Sequence, residues 1–295
     1  MYDQISSNKM KSGGLIAVFV MLVFAVGWAI GYLLNVGPYG LVIALAVAFV
    51  STWGSYWYSD RIVLAMSRAR PVDRATEPYL VNVVEGLSIA AGIPQPKAYV
   101  IDDPAPNAFA TGRNPANGAI AVTTGLIEKL DRLELEGVVA HELAHIKNYD
   151  TLVQTLAAVM AGTVVLLSDW MVRTLFWGGR SKDGLGGAKV ILLVVALLLL
   201  ILAPIFAGLI QMAISRKREY LADANGALLT RYPDGLASAL RKITADPNRL
   251  SVANKATESL YIYNPLKDYR GGRGLNALFN THPPVEERIK RLEAM

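Results

Sequence analysis

The chain contains no cysteine. Disulfide staples are thereby excluded, and so is any zinc site built on thiolates. Histidine is almost as scarce, with three among 295 residues, so each one invites a specific chemical explanation. Charge is thin as well: Asp, Glu, Lys and Arg make up 18% of the residues against 53% hydrophobic. That balance belongs to a membrane protein. The net charge of +5 does not point to nucleic acid. Part of the basic excess is the cluster Arg216-Lys217-Arg218 beside an apolar run, where anionic lipid headgroups are the plain partner. No nucleic-acid motif, internal repeat or low-complexity segment stands out.

What the chain does have is long apolar runs. Leu15 to Asn35 is free of charge and long enough to span a bilayer, and Tyr39 to Tyr58 follows after Val36-Gly37-Pro38. These read as a transmembrane hairpin (residues 1–58). A cleaved signal peptide fits less well, because no small-x-small site closes the first run and a second span follows at once. A second apolar hairpin is expected over residues 151–214. Its fourth run, Val190 to Ile214, is unambiguous, whereas the third, from Leu152, is interrupted by Ser168, Asp169 and Arg173. Nine Lys and Arg lie near the span ends on the side of the N-terminus, against four on the other. The positive-inside rule places the larger set in the cytoplasm. The expectation is a multi-pass membrane protein with that side facing the cytoplasm.

Residues 59–150 and 215–295 supply enough chain for one water-soluble domain, divided by the second hairpin. Tyr79 to Ala91 has helical apolar spacing and ends at Gly92-Ile93-Pro94. Lys97 to Ile101 and Gly118 to Thr123 read as strands, and Val285 to Ala294 as a helix started by Pro283-Pro284. Between the strands lies Asn107-Ala108-Phe109-Ala110-Thr111-Gly112. It is either an ordinary strand and turn or an edge strand beside a cleft. The stretch around Asn264-Pro265 and Gly271-Gly272-Arg273-Gly274 reads as irregular, and Pro233-Asp234-Gly235 as a turn. The expected fold is integral membrane and mainly α (α+β), with four apolar helices in two hairpins and a water-soluble domain holding a small sheet.

Two of the three histidines fall in His141-Glu142-Leu143-Ala144-His145. Residues four apart on a helix share a face, so both imidazoles can point at one ion with Glu142 beside its water. Five letters with three fixed recur by chance, and such a pair can simply face solvent. Local context favours the helix: Asp131 and Glu134 form a capping-box pair, Leu130 and Leu135 fit the flanking staple, and only Gly137 interrupts until Gly162. The motif helix is therefore expected to run on into the third apolar segment.

A catalytic zinc takes three protein ligands and keeps a position for water. The metzincin continuation is excluded because Asn148 and Thr151 stand where its glycine and third histidine belong. Glu219, in Glu219-Tyr220-Leu221-Ala222-Asp223, is the candidate. His145 precedes the third run and Glu219 follows the fourth, at heights of roughly 10 and 8 Å beyond the membrane ends of their helices. An antiparallel hairpin brings them level. Asp223 lies one turn further on the same face, where it can accept a hydrogen bond from a ligating imidazole. Charges just outside a membrane are the plain alternative for both.

With these residues in place, the chain resembles the HtpX-type membrane zinc metalloproteases and, more distantly, the CAAX prenyl proteases. The resemblance covers the N-terminal hairpin, Asn107 to Gly112, the His141 to His145 motif, Arg218 to Asp223, and Thr281-His282-Pro283-Pro284 followed by Arg288. It implies a gluzincin-like domain in which Glu219 completes a single zinc site. It also implies that Asn107, Ala108, Phe109 and Ala110 pair with substrate backbone, and that His282 and Arg288 lie at the cleft. Damaged or misassembled membrane proteins are the implied substrates.

In this reading zinc activates water, Glu142 is the general base, and His282 is the candidate donor to the oxyanion. Two rivals remain. An intramembrane zinc protease would need its motif within a span, yet Asp131, Arg132, Glu134, Glu136, Lys147 and Asp150 surround this one. A non-catalytic scaffold would normally close its zinc with a fourth protein ligand, and none is evident.

Overall fold

The computed structural model describes residues 2–33, 38–160, 163, 216–252, 257–265 and 283–295. Most of the second hairpin, the glycine-rich stretch after Pro265 and His282 lie outside them. Helix α1 (Tyr2–Leu33) and helix α2 (Pro38–Met66) pack against one another. Helix α1 begins well before the apolar run, and α2 continues past Tyr58 to Met66 without a break. The segment Ile5–Ala25 is long and apolar enough to cross a membrane. On α2, Val42, Leu45, Phe49, Trp53 and Trp57 are exposed at helical spacing. An apolar stripe of that size facing outward marks a surface for contact with lipid or with another protein.

Four strands make a small mixed sheet. Strand β1 (Arg70–Pro71), β2 (Lys97–Ile101), β3 (Ala108–Thr111) and β4 (Ala119–Thr123) stand in the order β1-β2-β4-β3. β2 and β4 are parallel, and β3 runs antiparallel to β4 with Ala108 opposite Val122 and Thr111 opposite Ala119. Helix α3 (Pro78–Ala91) starts on a proline and stops where Gly92 turns left-handed at φ 67°. A short helix, α4 (Thr124–Lys129), leads to α5 (Arg132–Lys147). At its start the Asp131 carboxylate accepts from Glu134 N–H, and Glu134 accepts from Asp131 N–H, so two orphan donors are satisfied reciprocally.

The motif helix does not run on unbroken. It ends at Lys147, Asn148 and Tyr149 form a turn with Tyr149 left-handed at φ 61°, and helix resumes as α6 over residues 150–160. The first turns of α6 bury Leu152, Val153 and Leu156 against Leu15, Phe19 and Leu22 of α1. Helices α7 (Arg216–Thr230), α8 (Pro233–Ala245) and α9 (Val285–Glu293) complete the described fold. Pro233-Asp234-Gly235, expected as a turn, is the first turn of α8, with Pro233 at the position where its missing N–H costs nothing.

The main core lies between the sheet and α5, with Val100, Ile120 and Val122 meeting Leu135, Val138, Val139 and Leu143. Helices α7 and α8 cover other faces of α5. Two glycines allow close crossings. A Cβ on Gly226 of α7 would stand 3.1 Å from His141 N, and one on Gly137 of α5 would stand 2.7 Å from Leu236 N.

Candidate metal centre

His141, Glu142 and His145 all lie on the buried stretch of α5. Glu219 and Asp223 share one face of α7, which Gly226 lets approach the His141 backbone. The two imidazoles stand nearly perpendicular, with Nε2 atoms 3.1 Å apart. Glu219 Oε2 is 3.7 Å from His141 Nε2, and its Oε1 is 3.5 Å from His145 Nε2. The three side chains thus offer ligand atoms that converge on one point.

The far side of each ring is fixed. Asp223 Oδ1 lies 2.9 Å from His141 Nδ1, and Asp150 Oδ2 lies 3.1 Å from His145 Nδ1. With Nδ1–H donating to a carboxylate, each Nε2 turns its lone pair inward. Two inward lone pairs and a carboxylate repel one another unless a cation sits between them. A tetrahedral zinc, with bonds of about 2.05 Å, sets its ligand atoms about 3.3 Å apart, so the observed spacings suit a metal ion of that size.

Charge around the centre is handled by burial and pairing. Arg288 of α9 is wholly buried and donates Nε and Nη2 to Asp223, at 2.9 and 2.7 Å, and Nη1 to Ile262 O at 3.2 Å. Burial alone would raise the Asp223 carboxyl, but the Arg288 charge and the His141 hydrogen bond outweigh it and hold it down at about 2. Arg288 itself is raised: burial works against its charge, and Asp223 more than compensates. Its Nη1 is also 3.7 Å from Glu219 Oε2. Arg288, expected at the cleft, is thus fully buried with its guanidinium on Asp223 and beside Glu219.

Glu142 is fully enclosed, and burial pushes its carboxyl up to about 7, with the Glu219 charge adding and His145 and Arg288 opposing. The nearby Ala110 backbone of β3 also opposes the rise. A carboxyl titrating near neutrality beside a metal cluster is suited to moving a proton.

Strand β3 also differs from a bare edge. Ile262 N–H donates to Ala108 O at 2.9 Å, Phe109 pairs with Tyr261 in an antiparallel bridge, and the Asn107 amide donates to Tyr263 O at 2.9 Å. Phe109 and Tyr261 are both buried and stack edge to face. Asn107, Ala108 and Phe109 are thus occupied within the chain, and Ala110 is the member of the segment turned to Glu142. Asp150 was missed as a partner of His145 because the expected unbroken helix would have carried it past the site. Asp150 had only its charge beside an apolar run to mark it.

A helix with two imidazoles one turn apart and a glutamate between them, with a carboxylate from a neighbouring helix that could complete a metal site, is the arrangement a metallopeptidase needs. Residues 74–295 match the family model described as Peptidase family M48. The chain is 50% identical over 294 residues to a protein named Protease HtpX homolog from Dictyoglomus thermophilum, covering 100% of this chain and 94% of that one. It is 45% identical over 303 residues to a protein of the same name from Streptococcus pneumoniae serotype 4, with both chains covered completely. The crystal structure of Ste24p from S. mikatae shares the fold at a TM-score of 0.52 and 18% identity, covering 99% of this chain and 67% of that one. The chain belongs to Peptidase family M48 and is a metallopeptidase acting on protein substrates.

Proposed function

We propose that this protein is a membrane-bound, zinc-dependent endopeptidase that cuts protein chains at the cytoplasmic face of a prokaryotic plasma membrane. The observation that carries the reading is the convergence of His141 Nε2, His145 Nε2 and the Glu219 carboxylate, with each Nδ1 anchored on its own carboxylate. Zinc held by those three residues would supply Lewis acidity, polarising the scissile carbonyl and acidifying an attacking water. Glu142 takes the proton from that water and delivers it to the leaving amine. Substrate backbone is read along β3 from Ala110 onward, beyond the part that Tyr261–Tyr263 covers. His282, directly before Pro283, is the proposed oxyanion donor.

The exposed apolar stripe of α2, closed by Trp53, Trp57 and Tyr58 ahead of Arg61, supports lipid contact with an aromatic belt at the interface. Two hairpins, a peptidase part assembled from residues 59–150 and 215–295, and membrane-protein quality control complete the proposal. The candidate ligands lie on α5 and α7, and α1 reaches the site at Asn8, ahead of the charge-free run that begins at Leu15, which favours cleavage beside the bilayer over cleavage within it.

The experiment compares wild type with Glu142→Gln in detergent. The variant should hold about one zinc per chain and lose at least ~100-fold in casein cleavage. Cleavage at the wild-type rate would refute the mechanism, and a zinc-loaded wild type that cuts nothing would favour a scaffold. His282→Ala should keep its zinc and lose ~100-fold or more in kcat; an unchanged kcat would remove His282 from the site.

A further inference from the structure

The N-terminal end of α1, ahead of its apolar run, is built into the metal centre. Asn8 is buried, and its side-chain amide donates both to Asn148 O and to Asp150 Oδ1, each at 2.8 Å. Asn148 and Asp150 flank the left-handed Tyr149 that breaks the motif helix. Lys9, the next residue of α1, places its ammonium 4.8 Å from the centre of the Tyr149 ring. Helix α1 therefore grips the break at three successive residues.

What that grip serves is visible at Asp150. Its Oδ1 accepts from Asn8 and from Arg218 Nη1, the latter at 3.1 Å, while Oδ2 faces His145 Nδ1. Arg218 directly precedes Glu219 on α7. One carboxylate thus joins α1, the ligand helix α7 and a ligand imidazole. Two donors on Oδ1 leave Oδ2 one orientation, and that orientation turns His145 Nε2 toward Glu219. A neutral amide suits the place beside Arg218, because it adds a donor without drawing further charge onto a carboxylate that must accept from His145.

We propose that Asn8 is a positioning residue for the metal site, acting through Asp150 on His145, so that the first apolar helix is a working part of the centre. The proposal rests on the metal-binding reading above. Loss of a group that orients a metal-bound imidazole typically weakens metal affinity 10–100-fold, and Asn8, one step removed, belongs at the lower end.

The test uses the full-length protein in detergent and measures zinc affinity by competition with a chromogenic chelator. The proteins are wild type, Asn8→Ala, Asn8→Leu, Asp150→Ala and the Asn8→Ala/Asp150→Ala double variant. Each Asn8 variant should bind zinc about tenfold more weakly. The double variant should bind no more weakly than Asp150→Ala alone, since one bond acts through the other. Asn8→Leu keeps the branched outline of the side chain, so it tests the donor even if Asn8→Ala folds poorly. Wild-type zinc affinity in the Asn8 variants, with only a lower Tm of the zinc-free protein, would reduce Asn8 to a docking contact and overturn the proposal. Independent, additive losses in the double variant would overturn it too. If wild type binds no zinc, the metal reading falls first and this one with it.

Discussion

Replacing Arg288 by methionine separates two roles for that residue. As a substrate contact it would affect KM and little else. In the structure it is buried with a bidentate hold on Asp223, which in turn holds His141 Nδ1. Removing the guanidinium leaves a buried carboxylate facing one imidazole, and breaking a buried pair from one side costs about 3–5 kcal/mol. One part can be read separately. The Asp223 carboxyl is held down from 3.8 to about 2, and a shift of that size corresponds to roughly 2 kcal/mol.

The sign follows from linkage: a depressed carboxyl stabilises the fold fully above pH ~4 and loses that contribution as pH falls through ~2. Arg288→Met should therefore melt about 10 °C lower than wild type near neutral pH, and the gap should narrow on acidification. Freed from Arg288, Asp223 favours a protonated His141, so zinc binding should weaken and become steeper in pH. The assays are thermal unfolding of zinc-free protein and chelator competition at several pH values. Arg288→Lys, which keeps charge without the fork, should fall between. A variant with wild-type Tm and zinc affinity but raised KM would refute the bracing role and restore the substrate contact.

Glu219→Ala should lose most bound zinc, because two imidazoles alone do not complete the site; zinc content equal to wild type would overturn the ligand assignment. Because burial holds Glu142 at about 7, kcat/KM should fall about tenfold per pH unit on the acid side of the profile, with zinc moving the limb lower; no acid limb above pH 5 would refute Glu142 as base. The stability sign there is reversed, since a carboxyl raised in the fold costs stability as pH climbs from 4.5 toward 7. Gly137→Ala should destabilise by about 1–3 kcal/mol, because its Cβ would press on the Leu236 backbone. A raised Tm, as alanine's better helix propensity alone would give, would show the crossing is looser.

Much of the site could be read along the chain because its signals are local. The spacing of His141 and His145, the Asp131 to Glu134 capping box, and Glu219 with Asp223 one turn apart each occupy a few residues and obey the helix repeat. The strands at Lys97 and Gly118 and the helix after Pro284 were legible for the same reason. The break at Tyr149 was not, because no glycine marks the left-handed residue and the apolar pattern resumes at Leu152. Pro233 was ambiguous locally, since proline opens helices as readily as turns.

The sequence by itself determined that the chain has no thiolate chemistry, long apolar runs, and a helix with two imidazoles facing one way, since these depend on composition and local periodicity. Tertiary structure alone decided what stands behind the imidazoles. Asn8 meets Asp150, Arg288 meets Asp223, and Tyr261 covers β3. Partners so far apart in sequence share no local pattern. A buried donor finds its acceptor only once helices α1, α5, α7 and α9 have packed and excluded the water that would otherwise satisfy both.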